Sequence, residues 1–433
     1  MNSEKKSFLV AMATIFILML ITYALTFILD CKGIEFYKFV LSPILVLGSS
    51  TGITTISICI FLLLIGGISN CLTEGGFVKY ILSKIVNNYK DKKYKLLFIF
   101  TFFFMVLGSL IGMLEEIIPI TPFVVTLAIS LGFDKLTGIA ISLLAVGCGF
   151  AAGVCNPFNV GVAQGILNIP MFSGIYFRIV VFILIYILLM TFIILYCKKI
   201  DKGINTNVVS DYVYDEIKEK ASLAFACILG FGLLIVLCSS FLTFLQDYTI
   251  IIIGLSFLFA GIVCARIAKM PTGTFWKYFK KGAFDIALSI PLILMASSIK
   301  YIMEESVALE TIVDVLIGVA SRMSKIELIL FIYLICLVLE VFVPSGSAKA
   351  FLLMPIIAPL AAKYGVSSQL VILAYAFGDG FSNVFYPTNP ALIICLNLSK
   401  VEYKEWFKYS FGFQLINLIM TSGILIVGLF IGY

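Results

Sequence analysis

Four carboxylates stand where the surrounding sequence is strongly apolar: Glu115 and Glu116 in "GMLEE", Glu340 just ahead of "PSGSAK", and Asp379 in "GDGFSN". An ionised carboxylate at the centre of a membrane helix costs about 3 kcal/mol unless a cation or a wet cavity receives it. The four are therefore expected around one cavity. Glu115 and Glu116 point about 100° apart on a helix, so one should face a substrate and the other cap or pair locally. "PSGSAK" supplies the opposite chemistry. Ser345, Gly346 and Ser347 offer hydroxyls and backbone N–H groups at a helix start, suited to a substrate carboxylate, and Lys349 adds positive charge. A zwitterion with a further cationic end would satisfy both tips. A dicarboxylate would set an anion beside Glu115 and Glu116, and such a like-charge contact costs on the order of 4 kcal/mol at an effective dielectric of about 20.

A second set of polar groups interrupts two apolar segments. In "GFAAGVCNPFNVGVAQG", residues 149–165, Gly149, Gly153 and Pro157 favour a break around Asn156. The same pattern recurs in "GDGFSNVFYPTNP", 378–390, around Asn389. Broken helices free carbonyls and amides to hold an ion or a polar substrate; the alternative is a packing kink. Asn156 and Asn389 join the substrate-facing candidates. Gly112, Asn156, Asn159, Asn383, Thr388 and Asn389 supply the oxygen ligands that Na⁺, the one cofactor-like ion considered, would require. Proton coupling would fall to Glu116, Glu340 or Asp379, because histidine is absent. Exchange would need no coupling ion. Arg178 and Asp285, two further charges in apolar runs, read as a structural pair or as interfacial side chains.

These groups must be positioned by membrane helices. With 61% hydrophobic and 12% charged residues in 433, the chain lacks the polar shell of a soluble globule. Its apolar runs of about 20 residues lack the alternation of barrel strands, so the expected fold is an all-α polytopic membrane protein. Full spans fit 7–29, 44–68, 136–167, 173–197, 222–246, 249–267, 283–302, 367–397 and 409–432. The runs 96–133 and 326–363 each hold two short apolar helices around a polar tip and read as re-entrant hairpins, tolerable only where the tip is buried in protein or lines a cavity. Basic residues gather at the N-terminus and in 79–95, 198–220, 266–281 and 400–408, which places those segments, with the N-terminus, in the cytoplasm and the C-terminus outside. Pro122, Gly132, Gly147, Asn156 and Pro157 match Pro355, Gly365, Gly380, Asn389 and Pro390 at one offset of 233. Two copies follow. The first is 1–197, with hairpin 96–133 and broken helix 136–167; a linker, 198–221, precedes the second, 222–433, with hairpin 326–363 and broken helix 367–397. The additional span 222–246 inverts the second copy, the build of a secondary transporter.

Other classes fit poorly. No GxSxG or intramembrane Asp pair accompanies the missing histidine, so an enzyme is not expected. The basic residues are spread over separate loops, which argues for topology and against nucleic acid. Eleven cysteines scattered through apolar segments read as small buried hydrophobes. A pore remains an alternative to a carrier, although paired acidic and serine tips suggest occlusion.

"GMLEE", "NPFNVGVAQG" followed by "IPMFSG", "PSGSAKA" with "MPIIAPLA", and "FGDGFSN" with "YPTNP" resemble the anaerobic C4-dicarboxylate carrier-like permeases of the ion transporter superfamily, and within them the branch of basic amino acid antiporters. The resemblance covers nearly the whole chain. It implies a scaffold and a transport domain built from inverted repeats, an inner and an outer hairpin, a homodimer in an inner (plasma) membrane, and elevator-like alternating access for a small-molecule substrate. It implies no single substrate, since dicarboxylates, basic amino acids and peptide-like anions occur among relatives.

Overall fold

The computed structural model describes the chain except residues 1–2, 29–32, 50–51, 90–91, 113, 115–116, 171–172, 202–212, 239–247, 288–289, 309–310 and 312–322. The regular structure of the described residues is helical, and they contain no strand. In chain order the helices are α1 (Ser3–Ile28), α2 (Phe36–Leu45), α3 (Gly52–Glu74), α4 (Phe77–Tyr89), α5 (Lys93–Ile111), α6 (Thr121–Ser130), α7 (Lys135–Ile139), α8 (Ala145–Ala152), α9 (Val162–Ile166), α10 (Ile175–Ile200), α11 (Glu216–Cys238), α12 (Thr249–Ile267), α13 (Thr272–Ala287), α14 (Ile290–Glu305), α15 (Lys325–Glu340), α16 (Gly346–Lys363), α17 (Ser368–Asn383), α18 (Pro390–Leu398) and α19 (Tyr403–Ile431). Among the described residues nine helical segments are long and apolar enough to cross a membrane. Their outward faces are rich in exposed Phe, Ile, Leu and Val, as lipid-facing helices require.

The segments expected to be broken form the centre. An 18-residue stretch within Lys135–Ile166 is 89% buried, and every α17 residue from Leu370 to Asn383 is buried. Asp134 caps α7 by accepting from the Thr137 amide at 2.9 Å, and Ser367 caps α17 through the Leu370 amide at 3.2 Å. α8 ends at Gly153 in the left-handed region (φ 52°), where a residue without Cβ is at no steric disadvantage. The chain restarts at Pro157, whose missing N–H costs nothing at the first helical position; the Asn156 side-chain oxygen takes the amides of Phe158 at 2.9 Å and Asn159 at 3.3 Å. α17 ends at Asn383, and α18 restarts at Pro390 with Asn389 accepting from Ala391 at 2.9 Å and Leu392 at 3.3 Å. The wider π turns at Ala140–Leu144 and Pro157–Gly161 occur in the first of these segments.

Glycines set how closely the central helices approach. A Cβ at Gly147 would overlap the Val384 side chain, and one at Gly380 would overlap the backbone of Ala151. At the 233 offset residue 147 maps to 380 and residue 151 to 384, so the two contacts are the same contact with the segments exchanged. The capping pairs Asp134 and Ser367, Asn156 and Asn389, and the positive-φ glycines Gly132 and Gly365 obey the same offset. Peripheral helices exchange partners in like manner: α12 and α13 pack on α3, whereas α1 and α2 pack on α14. The two sets, α1–α3 with α11–α14 and α5–α10 with α15–α19, pack more within themselves than against each other; α5 against α11 and α14 against α18 are among the pairings that join them, and α4 packs on both sets.

Two amphipathic helices were not anticipated. α4 buries Phe77, Val78, Tyr80, Leu82, Ser83 and Val86, while Lys79 and Tyr89 stay exposed. α13 buries only Phe275, Gly282 and Ile286. The sequence reading absorbed both into basic loops, because charge density hid the apolar stripe. Span 283–302 falls within the apolar segment Thr272–Glu305, described as α13 and α14 on either side of residues 288–289, and 44–68 becomes α3, which runs on to Glu74. Of the proposed span 222–246, residues 239–247 lie outside the described residues, as does 202–212 of the linker.

Candidate functional site

The end of α15, the start of α16 and the middle of α17 converge on one charged cluster. Glu340 is 1% exposed, and Lys349 and Asp379 are fully buried. The Lys349 ammonium is ion-paired to Glu340 Oε2 and lies 2.9 Å from Asp379 Oδ1. These are charge contacts without hydrogen-bond alignment, and Glu340 Oε1 and Asp379 Oδ2 meet no hydrogen-bond donor among the described residues. Gly346 explains how the tip comes so near: a Cβ there would stand 2.6 Å from Asp379 Oδ2. The Tyr375 hydroxyl donates to the Gly346 carbonyl and ties the tip to α17. Two carboxylates around one ammonium leave one negative charge in excess, in surroundings where each unpaired charge costs several kcal/mol.

This geometry changes two expectations. Lys349 is not free to receive a substrate carboxylate, because two carboxylates of the chain already hold it. Glu340, expected beside the cavity and as a proton carrier, is ion-paired to Lys349 within the cluster itself. Ser345 opens α16 without a side-chain cap, and Ser345, Gly346 and Ser347 are half-buried. Glu115 and Glu116 lie outside the described residues.

The oxygen-rich residues form two groups, one at each break. Gly112 ends α5 with φ 72° and lies against the Asn156 side chain, which a Cβ there would overlap. Asn156 and Asn159 both turn their amide nitrogens to the Phe150 carbonyl, at 3.4 Å each. Ser109, near the end of α5, holds the break itself: its hydroxyl accepts from Val154 N at 3.1 Å and its carbonyl from Cys155 N at 3.2 Å. At the second break Asn389 donates to Asn383 Oδ1 at 2.5 Å and Asn383 to the Asp379 carbonyl at 2.8 Å. The Thr388 hydroxyl is buried without a partner among the described residues. Several carbonyls expected to be free here are taken by α19: Trp406 donates to Val384 O at 2.9 Å, Tyr403 to Phe385 O at 3.0 Å and Gln414 to Phe381 O at 3.2 Å. Sequence reasoning missed these donors, which lie 18–33 residues from their acceptors. It also missed the capping role of both asparagines, although Asn-Pro is itself a helix-start signature.

Arg178 and Asp285 do not form the pair that was one reading of them. Asp285 is exposed on α13. Arg178 is fully buried on α10 and reaches Ser173 O at 2.8 Å, Tyr433 Oη at 3.2 Å and Gln369 Oε1 at 3.4 Å. It therefore does not pair with Asp285; it ties the ends of α9, α10, α17 and α19 together with Gln164, which donates to Ser173 O at 2.9 Å.

Comparison with known proteins places these features in a family. The model of the C4-dicarboxylate anaerobic carrier family matches residues 32–430. The chain is 29% identical over 410 residues, 89% of its length and 80% of the relative's, to the Escherichia coli (strain K12) protein named "Putative basic amino acid antiporter YfcC". It is 24% identical over 376 residues, covering 82% of its length and 72% of the relative's, to an uncharacterized Haemophilus influenzae protein. Among solved structures, the Alcanivorax borkumensis YdaH transporter aligns over 98% of this chain and 99% of its own with 16% identity and a TM-score of 0.47. Neisseria gonorrhoeae MtrF, of a class of antimetabolite efflux pumps, aligns over 97% and 95% with 13% identity and a TM-score of 0.46.

Proposed function

Because the chain belongs to the C4-dicarboxylate anaerobic carrier family and is a multi-pass membrane transporter, we propose that its substrate is a basic amino acid, moved by exchange or by coupling to a cation. The observation that carries this reading is the buried Glu340–Lys349–Asp379 cluster. Its excess negative charge suits the cationic end of a substrate and repels a second carboxylate, and the half-buried serine hydroxyls and N–H groups of the adjoining tip suit the single carboxylate of an amino acid. The name of the Escherichia coli relative points the same way. A dicarboxylate is the second reading, favoured by the description of the family itself; it requires a proton or Na⁺ to offset the added charge.

The mechanism belongs to the same proposal. Residues 1–197 and 222–433 act as inverted copies, supported by the contacts and caps exchanged at the 233 offset. Segments 96–133 and 326–363 act as re-entrant hairpins, since Gly112 and Gly346, next to their tips, lie against Asn156 and Asp379 inside the central segments. One set of helices carries the site past the other in an elevator-like motion, within a homodimer in the inner membrane, N-terminus in the cytoplasm. Na⁺ at the asparagine groups is an optional coupling ion.

A thermal-shift screen of the purified protein with arginine, ornithine, lysine, succinate, fumarate and a dipeptide, with and without Na⁺, tests the substrate. Stabilisation by the basic amino acids is expected. Stabilisation by succinate alone, unchanged in Asp379→Asn, would overturn it. Trans-stimulated counterflow in liposomes separates a carrier from a pore.

A further inference from the structure

The same cluster raises a question of charge conservation that the substrate alone does not answer. When no substrate is present, Glu340 and Asp379 still face a single ammonium, and the three side chains are at most 1% exposed. Burial this deep weakens the stabilisation that bulk water gives an excess charge, and the two oxygens Glu340 Oε1 and Asp379 Oδ2 meet no donor among the described residues. An unpaired charge at this depth is costly to hold and more costly to move through the bilayer.

We propose that the Glu340–Lys349–Asp379 cluster is the coupling site and that it binds one proton, shared between the two carboxylates, whenever substrate is absent. Resting on the cationic-substrate reading, the exchange balances as follows. One proton leaves a carboxyl group for water as the substrate's cationic group arrives, and returns from water to a carboxylate as that group leaves, so the cluster is neutral at both stages. The site has no room in its charge balance for an empty, unprotonated carrier, and net movement of substrate is thereby tied to counter-movement of a proton. Na⁺ is less suited here, because the Lys349 ammonium already occupies the position between the carboxylates that an inorganic cation would take.

The neighbours do not supply the missing charge. Cys336 on α15 and Tyr375 on α17 feel the charges of the cluster, and both are neutral in their ordinary forms. α8, α9 and the Pro157–Gly161 turn, which pack around α16 and α17, contain no Asp, Glu, Lys or Arg. On α19, Lys404, Glu405 and Lys408 are exposed. Glu115 and Glu116 lie outside the described residues, so the test must assign its signal by substitution.

Infrared difference spectroscopy of the full chain in lipid reads the protonated-carboxyl C=O stretch directly and needs no ligand. The expected result at neutral pH is one protonated carboxyl per chain, absent in Glu340→Gln and absent in Asp379→Asn, because either change leaves one carboxylate with one ammonium. Lys349→Met should keep or enlarge the band, to as many as two carboxyl protons. Absence of the band in the unaltered protein, or its persistence in both acid variants, would overturn the proposal, and the unaltered protein alone suffices if a variant fails to fold. Added arginine should then remove the band. If arginine does not bind while the band follows the substitutions, the proton site stands and the amino acid reading falls; if arginine binds with no band present, the reverse holds.

Discussion

The polar residues of the two breaks have more than one duty, and their substitution can be designed to separate them. Asn156 and Asn389 both spend their side-chain oxygen on the first free amides of the restarted helix. Losing an N-cap costs about 1 kcal/mol, and more where the stranded N–H is buried. Asn156→Ala is therefore expected to lower the melting temperature of the purified protein as well as abolish uptake. Asn156→Ser retains a capping oxygen and should restore most of the melting temperature; recovery of uptake along with it would show that capping is the whole role, whereas stable but inactive protein would assign the amide itself to transport. The residue types were legible in the sequence: Asn-Pro beside glycines marked each break, and carboxylates in apolar runs marked the site. What the sequence could not supply was partnership. Lys349 reads as an unattached cation until the fold brings Glu340 and Asp379 to it, nine residues before and thirty after.

Helix packing shows how much of the element plan rested on composition. Apolar length located seven of the nine long apolar segments found among the described residues, since hydropathy over about 20 residues is a direct requirement of the bilayer; the other two, in α5 and α16, were read as short hairpin arms although these helices are 19 and 18 residues long. It failed for α4 and α13, where only one face is apolar and Lys-rich neighbours dominate the average. The glycines at the central crossing were legible as repeats but not as contacts. Gly380 faces the Ala151 backbone, which cannot turn aside as a flexible side chain would, whereas Gly147 faces the Val384 side chain. Overpacking of this kind typically costs about 1–3 kcal/mol. Gly380→Ala should therefore be the more damaging of two otherwise equivalent substitutions, with Gly147→Ala partly relieved by Val384→Ala. Thermal stability of the single and double variants in detergent measures this; equal loss at Gly147 and Gly380, with no relief in the double variant, would contradict the asymmetry of the crossing.

At the scale of the whole molecule, the exchanged contacts and the exchanged helix partners make a prediction about sidedness. If two copies of one plan are related by a two-fold axis in the membrane plane, equivalent positions must lie on opposite faces of the bilayer. Lys95 is exposed near the start of α5, and Lys363 is exposed at the end of α16. Lys95 opens the first hairpin from the basic side, beside the ion pair of Lys93 with Asp201 that closes α10. Lys363 closes the second hairpin next to Gly365 and Ser367, on the side where Ser367 meets the Tyr433 carbonyl. By the positive-inside rule the 79–95 segment is expected in the cytoplasm, and a path from α5 through the first break and back along α10 would keep 198–201 on that same side. Cysteines introduced as Lys95→Cys and Lys363→Cys, in a background with the exposed Cys227 and Cys238 replaced by serine, are expected to react with a membrane-impermeant maleimide from opposite faces: Lys95→Cys only in inverted vesicles, Lys363→Cys only in intact cells. Reaction of both from one face would mean that one hairpin crosses the bilayer fully. The repeat would then be parallel, and the exchange of the Gly147 and Gly380 contacts between the two copies would need another origin.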